Sequence, residues 1–261
     1  MGSRRWRLAL VAAVVLASAG CVAHAAVVQI EGVRITVLSQ VMPYKLPRAG
    51  TAPIAVLLAG HLENPDGGVP PQLQKLTIRV NRHGLLQSKG LPTCRIPEIE
   101  AVSTARALRN CKDALIGSGQ FWANIIFSGQ PPYPTRGRLL VFNGRLQGKP
   151  ALFAQIYTAN PFNSSFVIPF SIRHIHNGTF GTELSASLPE ALGSWGYLDR
   201  IKLTLKRKYT YRGRGLSYFN AGCPAPRSAP RTVFPLAQAN FFFADRRPVT
   251  LTVSKTCGVK E

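Results

Sequence analysis

The sequence predicts an all-β protein, a β-sandwich that is either immunoglobulin-like or a larger antiparallel one, with one short helix near residues 98–111. Three observations carry that prediction. Short runs rich in Val, Ile, Leu, Phe and Thr recur along the chain; 23 glycines and 20 prolines, together with Asn, mark their ends; and several runs alternate apolar with polar residues. Many short strands with turn signals at such spacing are the pattern of sandwiches and barrels.

In chain order, the first element is an export label rather than a strand. Arg4, Arg5 and Arg7 precede a largely apolar run over 8–19, and Ala23-His24-Ala25 offers small residues where signal peptidase cuts, so residues 1–25 read as a signal peptide cleaved before Ala26. That run is shorter than the roughly 20 residues a bilayer-spanning helix needs. Two variants stay open: Ser18-Ala19-Gly20-Cys21 as a lipobox that would lipidate Cys21, although Ser18 stands where Leu is usual, and Ser3-Arg4-Arg5 as a twin-arginine signal.

Residues 26–261 form the predicted β domain, with strands over 27–40, 52–63, 73–82, 119–127, 138–146, 151–157, 166–174, 179–188, 198–211, 238–244 and 249–255. Asn64-Pro65-Asp66-Gly67-Gly68 and Asn143-Gly144 are the clearest turns. Between the third and fourth strands Ile99, Val102, Ala105, Leu108, Cys111 and Leu115 fall at helical intervals, with Pro97, Glu98 and Glu100 suited to a helix start. A weak repeat also appears. LQKLTIRVNR leads to Cys94 and LDRIKLTLKR leads to Cys223, each cysteine followed at the third position by proline and later by an aromatic strand. The repeat makes two related β halves, 26–130 and 131–261, the alternative to one domain.

Beyond Cys21 four cysteines remain, Cys94, Cys111, Cys223 and Cys257. An even count in an exported chain implies two disulfides, in one of three pairings. Cys94 with Cys111 and Cys223 with Cys257 close the shortest loops. No Cys-x-x-Cys exists, which disfavours thiolate zinc.

Charge is the strongest functional signal. The chain carries 32 Lys and Arg against 11 Asp and Glu, +21 overall, and +18 once the three leader arginines are removed. Such a bias raises encounter with anionic polymers and membrane surfaces. It concentrates in KLTLKRKYTYRGRG, where Ile201, Leu203, Leu205, Tyr209 and Tyr211 share one strand face and Lys202, Lys206, Lys208 and Arg212 the other, continued by Arg214. Lys75 and Arg79, alternating with Leu76, Ile78 and Val80, make a thinner second row. Because the aromatics of the basic strand point away from its cations, a base-stacking platform for nucleic acid is not expected there. A solvated face that protects a strand edge is the plainer reading of the same lysines.

Other chemistry is sparse. His174 and His176 point to one strand face and could share a metal ion, though a third ligand must come from elsewhere. No Gly-x-Ser-x-Gly elbow, facing carboxylate pair or glycine-rich phosphate loop is present. No cofactor is expected.

GLPTC before the helix, NCKDALIGSGQF, LLVFNGRL, the TFGT of Thr179–Thr182 and FNAGCPAP together resemble a family of uncharacterised secreted proteins from high-GC bacteria. The resemblance implies export and an all-β fold, and brings no activity or site with it. Expected, then, is a secreted or cell-envelope non-catalytic β protein that contacts anionic envelope polymers or a membrane surface through cationic strand faces. The alternatives are a hydrolase or metal-dependent enzyme using His174 and His176, and a carrier of lipid or small apolar ligands.

Overall fold

The computed structural model describes residues 25–30, 32–176, 178–188, 196–244 and 247–260. The expected leader, all but Ala25, and Cys21 lie outside the described residues. No described helix is long and apolar enough to cross a membrane.

The described strands are β1 (Ala25–Ile30), β2 (Val33–Met42), β3 (Lys45–Leu46), β4 (Ala52–Pro53), β5 (Ala55–Glu63), β6 (Leu73–Asn81), β7 (Gly84–Leu86), β8 (Leu115–Ile125) and β9 (Tyr133–Leu146). They continue with β10 (Lys149–Thr158), β11 (Ser164–His174), β12 (Phe180–Ser187), β13 (Gly196–Leu205), β14 (Lys208–Tyr211), β15 (Arg214–Ser217), β16 (Phe219–Ala221), β17 (Arg231–Phe243) and β18 (Val249–Val259). Two short helices, α1 (Ile96–Ile99) and α2 (Thr104–Cys111), lie between β7 and β8.

All-β with a short helical insert is correct; two stacked sheets is not. Thirteen strands join in a single sheet of order β1-β2-β5-β13-β8-β9-β10-β11-β12-β6-β17-β18-β3. It curls strongly into a half-barrel and brings β1 back beside β18. At its centre the tight β9–β10 hairpin is laddered from Leu146 opposite Lys149 to Arg138 opposite Tyr157. Only the last pairing, β18 with β3, is parallel. The order contains an exchange. β13, from late in the chain, sits between the early strands β5 and β8, and β6, from early in the chain, sits between the late strands β12 and β17.

Inside the curl, Leu203 and Leu205 of β13 pack with Ile116, Val141, Leu152, Phe234 and the fully buried Tyr218. Near the sheet's two ends Val33, Ile35 and Leu62 meet Phe243, Val249 and Leu251. The apolar run Leu139-Leu140-Val141-Phe142 is buried on both faces. Leu139 and Val141 point into the curl, while Leu140 and Phe142 pack outward with Phe153 under Ile99 and Ala107 of the helices.

Several local expectations change. Residues 27–40 fold as a hairpin, β1 against β2, rather than one strand. Asn143-Gly144 is not a turn: both lie inside β9, and the Asn143 amide, 1% exposed, donates to the Leu91 and Pro92 carbonyls. The Asn64 turn forms as expected, with the Asp66 amide donating to the Asn64 side chain at 3.0 Å. The single helix is split in two by Ala101, held at φ 53°, after which Ser103 caps α2 by accepting from the Arg106 amide.

Two disulfides fasten this frame. Cys94–Cys111 ties the segment before α1 to the end of α2, and Cys223–Cys257 ties the stretch after β16 to β18. Both are the short-loop pairings.

Candidate anion-binding face

Alternation along β13 places Leu203 and Leu205 inward and leaves Arg200, Lys202 and Thr204 exposed on the outer face. The basic segment is not one strand, however. Arg207, the residue out of phase, is where the chain leaves the main sheet: its guanidinium donates to the Asp113 carbonyl at 2.8 Å and its own carbonyl accepts from the Tyr218 amide at 2.8 Å. β14 and β15 then form a separate hairpin. Arg212 and Gly213, at φ 50° and 74°, make its two-residue turn, a geometry glycine adopts without strain. Lys206, Lys208, Arg212 and Arg214 are all exposed. Tyr209 turns inward, its hydroxyl 3.0 Å from both the Gln87 and Lys89 carbonyls, and burial raises its pKa.

Strand pairing assembles the rest of the face. Arg200 stands opposite Trp122 and Lys202 opposite Gln120 on β8, and these stand opposite Arg136 and Arg138 on β9. The Arg200 guanidinium lies 5.6 Å and the Lys202 ammonium 5.8 Å from the Trp122 ring centroid. Such contacts are worth about 0.5–1 kcal/mol each at exposed sites. They also restrain two long side chains that would otherwise lose rotamer entropy on binding a ligand. Beside them lies a shallow depression of about 480 Å³ with Leu38, Leu57, Ala59, Gln120, Arg138 and Lys202 in its lining.

Trp122 is what sequence reasoning missed. Asking whether the basic strand's own aromatics shared its cationic face left out the neighbouring strand. The signal was present in GQFWANI, where Phe121 is 6% exposed on the inner face and Trp122 takes the outer one.

Charge on this face is largely unneutralised. Among the described residues no carboxylate lies within 4 Å of Arg136, Arg138, Lys202, Lys206, Lys208, Arg212 or Arg214. Arg200 has Asp199 at 3.6 Å, and Asp199 is shared with His61 at 3.0 Å. The second row is different. Lys75 is exposed, 5.4 Å from the Phe242 ring, but Thr77 and Asn81 are buried, and Arg79 is paired with Glu183 at 2.9 Å. Burial pushes the Glu183 carboxyl up; hydrogen bonds from Arg173 and Arg79, with their charges, outweigh it and hold the pKa below the usual carboxylate range.

His174 ends β11 and His176 follows in the next loop, both exposed. Neither belongs to a group of three potential metal ligands among the described residues. The one such group, Cys94, Glu98 and Cys111, has both sulfurs joined in a disulfide, leaving no thiolate to coordinate. Among the described residues His61 makes the only histidine–carboxylate contacts, with Asp199 at 3.0 Å and Glu63 at 4.0 Å, yet no hydroxyl or thiol hydrogen-bonds that imidazole there. Glu98 is held below its ordinary pKa by hydrogen bonds from the Arg95 side chain and amide, the opposite of what a general acid needs.

Fold and face thus define a disulfide-tied all-β protein with a cationic outer surface braced by one tryptophan. Comparison with protein-family models, curated proteins and solved structures finds no match.

Proposed function

We propose that this is a non-catalytic protein of the cell exterior or envelope that binds anionic polymers through the outer face of β13, β8 and β9. One observation carries the reading: Arg200 and Lys202 lie against Trp122, and Lys202 shares one depression with Arg138. A structural salt-bridge surface would surround these cations with acids, and among the described residues most have none within 4 Å. Two disulfides point to an oxidising, extracytoplasmic compartment, where carboxylated, sulfated and phosphorylated polymers are the abundant polyanions. Lys206, just past β13, and the hairpin cations Lys208, Arg212 and Arg214 continue the charge beyond the end of β13.

The test is equilibrium binding of the protein, lacking residues 1–25, to polygalacturonate and to neutral dextran, with anionic vesicles as a further arm. Trp122 fluorescence reports occupancy, with Trp195→Phe to remove the competing signal of that residue. Preference for polygalacturonate, weakened at least tenfold in the Arg138→Ala/Lys202→Ala double variant, supports the reading. Equal binding to dextran, or an unaffected double variant, overturns it; binding to vesicles alone replaces the polymer with a membrane surface.

A further inference from the structure

The inner side of the sheet carries a second feature with different chemistry. At one end of the curl lies an apolar cavity of about 160 Å³, its lining including Leu62, Phe121, Ile156, Phe166, Ile168 and Leu198 from β5, β8, β10, β11 and β13. Val69, 50% exposed, and Phe162, 49% exposed, stand among its lining residues and carry the apolar surface out to solvent. Protein interiors are close-packed, and a void lined by such side chains stays dry unless an apolar group enters it. The sequence makes the room locally. Gly137 lets the Phe121 ring approach β9 closely; a Cβ there would stand 2.6 Å from that ring and would also strike the Tyr157 carbonyl.

The polar atoms of the lining narrow the ligand. The Thr135 and Thr158 hydroxyls lie 2.9 Å apart and satisfy each other and the Asn160 carbonyl. The buried side-chain polar atoms without a protein partner, on Ser39, Thr104, Gln155, Arg207 and Tyr218, belong to none of the cavity's lining residues. The other polar residues of the lining, Gln72, Asn124, Ser164 and Tyr197, are all partly exposed, and the rest of the wall is apolar, so it suits an alkyl chain better than a charged head group. An apolar cavity of about 150 Å³ suffices to take up benzene.

We propose that this cavity binds one end of an unbranched alkyl chain, roughly six carbons deep on the scale of that benzene-sized void, with the chain's polar head left in solvent beyond Val69 and Phe162. Both fatty acids and the acyl tails of envelope lipids present that chemistry. This site is on the opposite side of the sheet from the cationic face, and each can fail without the other.

The probe is sodium octanoate, titrated into the protein and followed by calorimetry and methyl NMR, with 1-octanol to remove the charge and lysophospholipid micelles to present a lipid-borne chain. Octanoate and octanol are expected to bind with similar affinity and to shift methyls of Ile156 and Ile168. Ala123→Phe, which fills the cavity from β8, is expected to weaken both at least tenfold while retaining the wild-type circular dichroism spectrum; Ala123→Leu, which fills less, gives an intermediate loss and covers the case that the larger variant does not fold. Octanoate binding that octanol cannot reproduce, and that Lys202→Ala removes, would place the anion on the outer face and overturn the proposal. So would no binding of either compound, or equal binding by the Ala123 variants.

Discussion

If the outer face binds a polyanion, the salt dependence counts its contacts. Each phosphate-like contact to a single-stranded polyanion contributes roughly 0.7 to the slope of log affinity against log salt. Arg136, Arg138, Arg200 and Lys202 converge on adjacent positions of β9, β8 and β13, which gives four contacts and a slope of about −2.8. Raising salt from 50 to 200 mM then weakens binding about 50-fold. Removing Arg138 and Lys202 together halves the slope, and the same salt step should cost only about sevenfold. Engagement of Lys206, Lys208, Arg212 and Arg214 as well would double the count and raise the loss to about 2000-fold. The assay is fluorescence titration of Trp122 at five salt concentrations for the wild type, the Arg138→Ala/Lys202→Ala variant and a variant lacking Lys206, Lys208, Arg212 and Arg214. A slope near zero in the wild type, or equal slopes in all three proteins, refutes the reasoning, because neither result is compatible with counterion release from these side chains.

Three further outcomes are expected. Replacing Cys94 and Cys111 with serine opens a loop of sequence separation 17 and replacing Cys223 and Cys257 one of 34, so the chain-entropy costs are about 3 and 4 kcal/mol; calorimetry should show Tm falling by roughly 6–12 °C and 8–15 °C. Glu183→Gln should cost about 1–2 kcal/mol at pH 7 in urea unfolding. Because the folded pKa of Glu183 lies below the unfolded value, its contribution is complete above the unfolded value and is lost as pH falls through the folded one, so wild type and variant should converge in stability in that acid range. Ser103→Ala removes the side-chain cap of α2 and should cost about 1 kcal/mol in the same assay, with no change in polyanion affinity.

Much of the architecture was readable because period-two alternation is a local signal. Leu203 and Leu205 go in and Lys202 and Thr204 stay out whatever the neighbours are. Short loops likewise made the disulfide pairing legible. Strand partnership was not, since nothing in LDRIKLTLKR names a strand some 80 residues earlier as its neighbour, and so Trp122 could not be placed beside Arg200. Asn143-Gly144 failed for a related reason: a turn-favouring dipeptide is equally at home inside a strand when a distant backbone, here Leu91 and Pro92, supplies the amide with acceptors. Curvature was illegible too. Sandwich and curled sheet share one alternating pattern and differ in whether the ladder breaks, which depends on every strand pairing and not on any one segment.

The exchanged strands settle how the chain can be assembled and divided. Residues 73–81 have no ladder until Phe180–Ser187 and Arg231–Phe243 exist, and the space between β5 and β8 stays open until residues 196–205 arrive. Neither half can therefore finish folding while the other is still being made, and a completed sheet is a late event that involves almost the whole polypeptide. Neither disulfide crosses the Gln147-Gly148 turn. A single cut there would leave two fragments with no covalent bond between them, held by the exchanged strands β13 and β6 and by the β9–β10, β18–β3, β16–β4 and β16–β7 pairings.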